Sequence, residues 1–359
     1  MEGAFAEKTG KMGLGVLRFS PHEIVCLVDS QNVGADSAAL TRVDRKVPIV
    51  ASVEDARALG ADVLLLGIAP PGGLIPESWF PTLDRAVELG FSIVNGLHDR
   101  LAPRYPFLQS SEPAVAADPA DPPNFQTPEL PNQFVYDIRT EPPDIGVGYA
   151  EARHLTNTRV LFIGTDMAVG KMTAGLVMWK EALARGIKAE FVATGQIGIT
   201  ITGKGVPLDC IRLDFACGAI EREVMACKDA DLVLIEGQGS LVHPGSTSTL
   251  PLIRGSQPTH LVLCHRAGME TLPRLPWVRV PPLVEFIRLY QDLAEVCGTY
   301  VRPQAVGIAL NCAHLSSDAE AHLSSDAEAL AACTQVESET GLPTTDPVRF
   351  GMARIIENI

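Results

Sequence analysis

The amino-acid sequence predicts an α/β protein made of two domains, each with a parallel β-sheet at its centre. Short apolar runs alternate with amphipathic segments that end in glycine, a pattern typical of strands joined by crossover helices. The chain has 359 residues, enough for two domains of ordinary size. A proline-rich stretch from residue 101 to 145 interrupts the alternation. We therefore predict one domain at residues 1–145 and a second at residues 146–359.

Strands and helices are predicted to alternate throughout the part of the chain before the proline-rich stretch. The first strand, "IVCLVDS", is followed by a helix that Ser52 is placed to cap and Gly60 to end. The next run, "DVLLLGIA", has the continuous apolar character of a fully buried parallel strand. A second helix, "ESWFPTLDRAVELG", and a third strand, "FSIVNGLH", follow. This order predicts a parallel sheet with right-handed crossovers.

Ten prolines lie between residues 101 and 145, which predicts a linker or a long surface excursion with little helix. A short strand, "FVYDIR", is predicted within this stretch. Further along, the octapeptide "HLSSDAEA" occurs at 314–321 and again at 322–329. Because an insert of this length would rotate a helix by about 80°, we expect the duplication at a helix start or in a surface loop.

The stretch "GTDMAVGKMT" is the most informative motif of the second domain. A predicted strand, "RVLFIGTD", leads into it and a predicted helix, "KMTAGLVMWKEALARG", follows, which is the setting of a phosphate-binding loop. Backbone amides, the positive helix end and the Lys171 ammonium group would together favour a bound diphosphate. The predicted binding residues are Gly164, Thr165, Asp166, Ala168, Val169, Gly170, Lys171, Met172 and Thr173.

Met172 stands where such loops normally have the Ser or Thr that holds Mg²⁺. A thioether is a poor ligand for this hard cation, and Thr173 lies about 100° further round the helix. The simpler interpretation is a diphosphate bound without catalytic Mg²⁺, as in coenzyme A, so we predict no metal site. The alternative is ATP with Mg²⁺, which Thr173 would reach through a shifted first turn.

Acidic and histidine side chains follow the apolar strands of the second domain. In "LVLIEGQGSLVHP" a strand ends at Glu236, and His243 comes shortly afterwards. Because sites of α/β proteins form at the carboxyl ends of parallel strands, Glu236 is a candidate general base or metal ligand, and His243 could perform the same proton transfer. A helix cap or an ion pair is the alternative role for Glu236.

Three further residues are predicted to contact substrate: Asp209, Asp214 and His265. The two carboxylates lie in a glycine-rich stretch and could hold a substrate ammonium group, although solvated surface charge is an equal alternative. His265 ends a neighbouring strand, "LVLCH". Asp29 and His98 end strands of the first domain and are additional candidates for a functional role.

Composition excludes several classes of partner and compartment. The net charge of −14 and the lack of a basic run argue against nucleic acid and against an anionic membrane surface. The eight cysteines form no Cys-x-x-Cys pair, which favours free thiols in a reducing compartment. The sequence has neither a secretory signal nor an apolar run long enough to span a membrane, so we expect a cytoplasmic protein. The many apolar strands favour a homo-oligomer.

Three strings, "GTDMAVGKMT", "IEGQGSLVHP" and "LVLCH", together resemble the D-glutamate N-acetyltransferase family of the DgcN type, formerly a family of unknown function. The resemblance runs from "LRFSPHEIVCLVDS" to "GIALN", and the loop is more distantly similar to GTDxxxGKT of dethiobiotin synthetase. It implies a Rossmann-like N-terminal domain and a P-loop NTPase-like C-terminal domain. The chain departs from the family pattern in the proline-rich stretch, the duplicated octapeptide and "HPGSTST".

The resemblance implies a reaction in which acetyl-CoA is a co-substrate and acetyl passes to the amino group of a D-amino acid, D-glutamate in this family. The absence of a Gly-x-Ser-x-Gly elbow favours direct transfer between two bound small molecules. The alternative is an ATP- and Mg²⁺-dependent ligase or synthetase related to dethiobiotin synthetase. A nucleotide-sensing module without chemistry is a third possibility.

Overall fold

A computed structural model describes residues 1–5, 8–110, 133–314 and 325–359. It is an α/β structure with parallel sheets, as predicted. The helices are α1 (Lys11–Phe19), α2 (Ser37–Thr41), α3 (Val53–Ala58), α4 (Phe80–Glu88), α5 (Lys171–Ala184), α6 (Gln196–Thr202), α7 (Ala216–Ala226), α8 (Thr249–Ser256), α9 (Leu283–Glu295), α10 (Asp326–Thr340), α11 (Pro347–Phe350) and α12 (Ala353–Ile356). The strands are β1 (Leu27–Val28), β2 (Ile49–Val50), β3 (Val63–Leu65), β4 (Ser92–Asn95), β5 (Gln109–Ser110), β6 (Phe134–Asp137), β7 (Thr158–Gly164), β8 (Ala189–Val192), β9 (Leu232–Ile235), β10 (His260–Arg266), β11 (Thr271–Leu272), β12 (Leu275–Arg279), β13 (Gln304–Asn311) and β14 (Thr344–Thr345).

The chain divides into two compact units. The first contains Met1–Pro142 and Gly195–Cys210, and the second contains Pro143–Thr194 and Ile211–Ile359. The segment Gly195–Cys210 returns to the first unit because α6 packs against α1. The first unit therefore combines two segments that are separate in the sequence.

Within its described residues, the first unit has two parallel sheets, β1–β2 and a second with strand order β3-β4-β6-β5. The predicted ends of α3 are confirmed, since the Ser52 side chain accepts a hydrogen bond from the Asp55 amide and Gly60 follows the helix with φ of 95°. The prediction of a fully buried strand at "DVLLLGIA" is wrong. Val63 is 44% exposed, because β3 lies at the edge of its sheet.

The core of the first unit joins α4 to its larger sheet. Leu83 and Val87 of α4 pack in one buried cluster with Ile93 of β4 and Val135 of β6. The loop after β4 therefore begins at a well-packed strand end. The position of the polar side chains in this loop depends on that strand end.

In the described part of the second unit, six parallel strands form a sheet in the order β14-β13-β10-β7-β9-β8. The central strand β7 pairs with β10 on one side and β9 on the other. Because all these strands point the same way, the residues after β7, β9 and β10 reach the same edge of the sheet. The candidate site is built there. The antiparallel ribbon β11–β12 is an addition that the sequence pattern did not predict.

Two predictions fall partly outside the described residues. Residues 111–132 of the proline-rich stretch lie outside them, while its described parts, 101–110 and 133–145, contain no α-helix and include the predicted strand β6. Residues 315–324 of the duplicated octapeptides also lie outside. In the described end of the second copy, Ser325 and Glu328 form a capping box at the start of α10, so a helix does begin there.

We find no helix of the length and apolar character needed to cross a membrane among the residues that the structure describes.

Candidate functional site

The phosphate loop connects Gly164, the last residue of β7, to Lys171, the first residue of α5. Ala168 and Gly170 have positive φ angles of 56° and 114°, so the chain turns sharply twice within the loop. Such alternation of left- and right-handed backbone is typical of anion-binding nests, and α5 adds its positive end. The residues present therefore fit a bound diphosphate.

The two residues after Lys171, Met172 and Thr173, are the second and third positions of α5, and both are half-buried. α5 is regular from Lys171 onward, so Thr173 keeps its place on the helix and the thioether keeps the position of the usual Mg²⁺ ligand. The loop therefore offers backbone amides and a lysine to a bound diphosphate. It has no hydroxyl group at the position of the usual Mg²⁺ ligand.

Lys171 brings a buried positive charge to the loop. Its Nζ donates a hydrogen bond to the carbonyl oxygen of Asp166 at 2.8 Å. Its side chain runs beside two glycines, because a Cβ at Gly164 would lie 2.9 Å from Nζ and one at Gly237 would lie 2.9 Å from Cδ. Burial lowers the pKa of Lys171 to about 8, while nearby acidic groups, Glu236 among them, oppose the shift. The ammonium group is therefore charged at neutral pH.

Glu236 follows β9 and is only 3% exposed. Its Oε2 accepts a hydrogen bond from the Thr194 amide at 2.9 Å, and its Oε1 accepts one from Gln238 Nε2 at 3.3 Å. The Thr194 hydroxyl donates to the Glu236 carbonyl oxygen at 2.8 Å. Glycine is required next to it, because a Cβ at Gly237 would overlap the carbonyl oxygen of Phe162. The carboxylate is therefore held rigidly at the carboxyl ends of β8 and β9.

His243 lies in a compact turn and is half-buried. The Ser240 amide donates to Ser246 Oγ at 3.0 Å, and the Gly245 amide donates to His243 Nδ1 at 3.1 Å. Because Nδ1 accepts this bond, the neutral ring carries its proton on Nε2 and offers an N–H donor. Of the two predicted general bases, the geometry therefore favours Glu236.

His265 lies near the end of β10 with its Nδ1 2.9 Å from the hydroxyl oxygen of Thr165, and both side chains are buried. Burial lowers the pKa of His265 to about 4, so the ring is neutral. The hydrogen-bond partner of His265 is thus Thr165, a residue of the phosphate loop. The structure therefore places His265 against the loop, and the contact with substrate stays a prediction.

Tyr290 of α9 is a residue of the site that the sequence did not reveal. Burial raises the pKa of its phenol to about 12, while the nearby backbone of Leu241, the Thr249 side chain and the backbone of Gly164 oppose the rise. Tyr290 thus ties the start of the phosphate loop to the turn that carries His243. The sequence does not single out Tyr290, because a large, mostly apolar side chain at helical spacing in α9 is typical of an ordinary core position.

The two carboxylates predicted to hold a substrate ammonium group belong to different compact units. Asp209 is in the first unit, where its Oδ2 lies 3.2 Å from Arg139 Nη2. Asp214 is in the second unit and is exposed. Asp209 therefore already has a guanidinium partner within its own unit.

Comparisons with known proteins agree with this architecture. A family model described as "Domain of unknown function (DUF1611_C) P-loop domain" matches residues 146–356, and one described as "Domain of unknown function (DUF1611_N) Rossmann-like domain" matches residues 30–114. The two predicted domain types are thereby confirmed, and the relatives described next confirm the resemblance inferred from the motif strings.

Individual relatives match nearly the whole chain. A D-glutamate N-acetyltransferase from Tritonibacter scottomollicae is 35% identical over 348 residues, covering 97% of this chain and 93% of the relative. A D-glutamate N-acetyltransferase from Pseudoalteromonas sp is 32% identical over 309 residues, covering 86% and 84%. The crystal structure of a DUF1611 family protein from Anabaena variabilis shares 43% identity, with a TM-score of 0.86 and coverage of 99% and 96%. The chain therefore belongs to the DUF1611 family, in which a Rossmann-like domain precedes a P-loop domain.

Proposed function

We propose that this protein transfers an acetyl group from acetyl-CoA to the amino group of a D-amino acid, D-glutamate. The observation that carries the proposal is a phosphate loop in which a buried Lys171 is present but a thioether, Met172, replaces the hydroxyl ligand of Mg²⁺. Cleavage of a nucleotide phosphate needs a cation to neutralise the developing charge, whereas holding an intact diphosphate does not. The names of the two relatives support the substrate.

The loop would hold the diphosphate of the coenzyme through its amides and Lys171. Thr165 and His265 fix the base of the loop, and Tyr290 holds Gly164, the last residue of β7, near the turn that follows β9. These contacts hold the loop in shape before the coenzyme binds, which reduces the entropy that binding would otherwise cost.

Glu236 accepts a proton from the substrate ammonium group, and the freed amine attacks the thioester carbonyl carbon. Addition of the amine forms the C–N bond and gives a tetrahedral oxyanion. Collapse of this oxyanion breaks the C–S bond, and the second proton that the nitrogen loses goes to the departing thiolate. We assign the donation of hydrogen bonds to the oxyanion to His243 Nε2–H and to the amides of the glycine turns. Every step uses side chains of the second unit.

The test is release of free thiol from acetyl-CoA in the presence of D-glutamate and EDTA, with the product identified by mass spectrometry. We expect turnover in EDTA and a faster reaction with D-glutamate than with L-glutamate. Release of ADP or phosphate from ATP that requires Mg²⁺, without thiol release from acetyl-CoA, would overturn the proposal in favour of a ligase.

A further inference from the structure

We propose that His98, Asp209 and Cys210 form a binding site for a borderline-soft divalent cation, Zn²⁺ or Co²⁺, within the first unit. One ligand atom from each of the three residues lies within 4.8 Å of the other two. An imidazole nitrogen, a carboxylate oxygen and a thiolate are the ligand types that such cations prefer. Mg²⁺ prefers oxygen alone, so this site has a chemistry different from that of a nucleotide-bound metal.

The local fold holds the three side chains on short, tightly constrained elements. His98 follows β4, and its amide donates to the Gly73 carbonyl oxygen at 2.8 Å. Gly73 has φ of 69°, and a Cβ there would meet the His98 ring, so the ring rests directly against the Gly73 backbone. Asp209 and Cys210 are adjacent in the 3-10 helix Leu208–Cys210.

The three groups are already arranged around a positive charge. Arg139 Nη1 contacts His98 Nε2, and Arg139 Nη2 lies 3.2 Å from Asp209 Oδ2. A guanidinium group can only donate, so His98 Nε2 presents a lone pair towards the cluster. Cys210 Sγ lies 3.6 Å from Asp209 Oδ1, which brings the thiol to the same carboxylate. A divalent ion would take over the charge that Arg139 now supplies.

Arg139 itself is incompletely satisfied in this arrangement. Its side chain is 12% exposed, and its Nε is buried without a hydrogen-bond partner among the residues that the structure describes. A metal ion bound here would replace the two contacts that Arg139 makes with His98 Nε2 and Asp209 Oδ2. Three protein ligands leave the fourth tetrahedral position to water. The ion would tie the loop after β4 to the Gly195–Cys210 segment, both in the first unit.

The first experiment titrates the chelator-treated full-length protein with Co²⁺ and records the absorption spectrum. We expect one equivalent to bind with a thiolate-to-Co²⁺ charge-transfer band. Cys210→Ser should lose this band, whereas the matched control Cys297→Ser, which removes an exposed thiol elsewhere, should keep it. A wild-type spectrum without the band, or a Cys210→Ser spectrum that retains it, overturns the proposal. Equal melting temperatures in EDTA establish that the variants are folded.

The second experiment uses Arg139→Gln, which removes the competing positive charge. Co²⁺ should bind this variant at least about tenfold more tightly than the wild type, because a positive charge a few ångströms from the ion repels it by this order of energy or more. An affinity of Arg139→Gln for Co²⁺ that is equal to or weaker than that of the wild type overturns the proposal.

The third experiment needs no variant. Zn²⁺ should slow alkylation of Cys210 in the wild type, read by mass spectrometry, and leave exposed Cys297 unaffected. Equal rates at Cys210 with and without Zn²⁺ overturn the proposal.

Discussion

Thr165 and His265 meet at the carboxyl ends of two neighbouring parallel strands, with the threonine hydroxyl oxygen 2.9 Å from the ring Nδ1. Both side chains are buried, and Thr165 is the first residue of the phosphate loop after β7. The shape of the loop therefore depends on a neutral imidazole beneath it, and protonation of that ring should cost stability.

The free energy of unfolding should fall as the pH is lowered from about 6.5 towards about 4. Burial lowers the pKa of His265 to about 4. In that window the unfolded chain binds a proton that the folded chain does not, so the stabilisation is complete above the unfolded pKa and is lost as the pH falls through the folded one. One pKa unit corresponds to about 1.4 kcal/mol, so a shift from about 6.5 to about 4 gives a ceiling of about 3.5 kcal/mol.

Urea unfolding of the wild type and of His265→Gln across this range measures the effect. Glutamine keeps a polar partner for Thr165 but does not titrate, so the variant should show a shallower dependence on pH. If the free energy of unfolding depended on pH with the same slope in both proteins, His265 would not be the source of the pH dependence.

The charge on Lys171 should control coenzyme binding in mildly alkaline solution. Burial lowers the pKa of Lys171 to about 8, and the neutral amine above that pH no longer attracts a diphosphate. We expect the affinity for acetyl-CoA, measured by calorimetry, to fall by about tenfold for each pH unit above about pH 8. In Lys171→Arg the guanidinium group stays charged, so the Kd should not change over this range. A wild-type Kd that is equally flat would show that Lys171 does not meet the diphosphate.

Gly237→Ala should destabilise the second unit strongly. A Cβ at Gly237 would overlap the carbonyl oxygen of Phe162, which lies in the central strand β7 and is fully buried. Because neither backbone can move without disturbing the sheet, we expect a loss of about 3 kcal/mol or more in the free energy of unfolding.

The matched control is Gly146→Ala, where a Cβ meets nothing within 4 Å. Its effect should stay within about 0.5 kcal/mol. Denaturant midpoints of the two variants give the comparison, and equal midpoints would contradict the turn described after Glu236.

The phosphate loop could be predicted from the sequence because its signals are local. Gly164, Gly170 and Lys171 lie close together between an apolar strand and a helix, and this spacing alone specifies the turn. Glu236 could be placed for the same reason, since it directly follows a buried strand.

The rest depends on contacts between elements that are distant in the chain. Tyr290 reaches Gly164 from α9, and Thr194 reaches Glu236 from the end of β8, and neither pairing has a sequence pattern. The sequence also gives no sign that Gly195–Cys210 belongs to the first unit. The apolar residues of α6 would have the same spacing whichever helix it packed against.

Glu236→Gln should reduce turnover without weakening coenzyme binding. The glutamine carbonyl oxygen can still accept the Thr194 amide hydrogen bond, which is 2.9 Å long in the wild type, but an amide cannot take a proton from substrate. We expect kcat for thiol release to fall by about 10²–10⁴-fold, with the Kd for acetyl-CoA unchanged.

His243 supplies the contrast, because its Nδ1 is engaged by the Gly245 amide and its Nε2–H is a donor. His243→Gln keeps a donor on a side chain of similar reach, so kcat should fall by less than about tenfold, whereas His243→Phe should lose about 10²-fold. Turnover at saturating acetyl-CoA and D-glutamate, with Kd values from calorimetry, separates these cases. A larger loss in His243→Gln than in Glu236→Gln would reverse the assignment and make the histidine the proton acceptor.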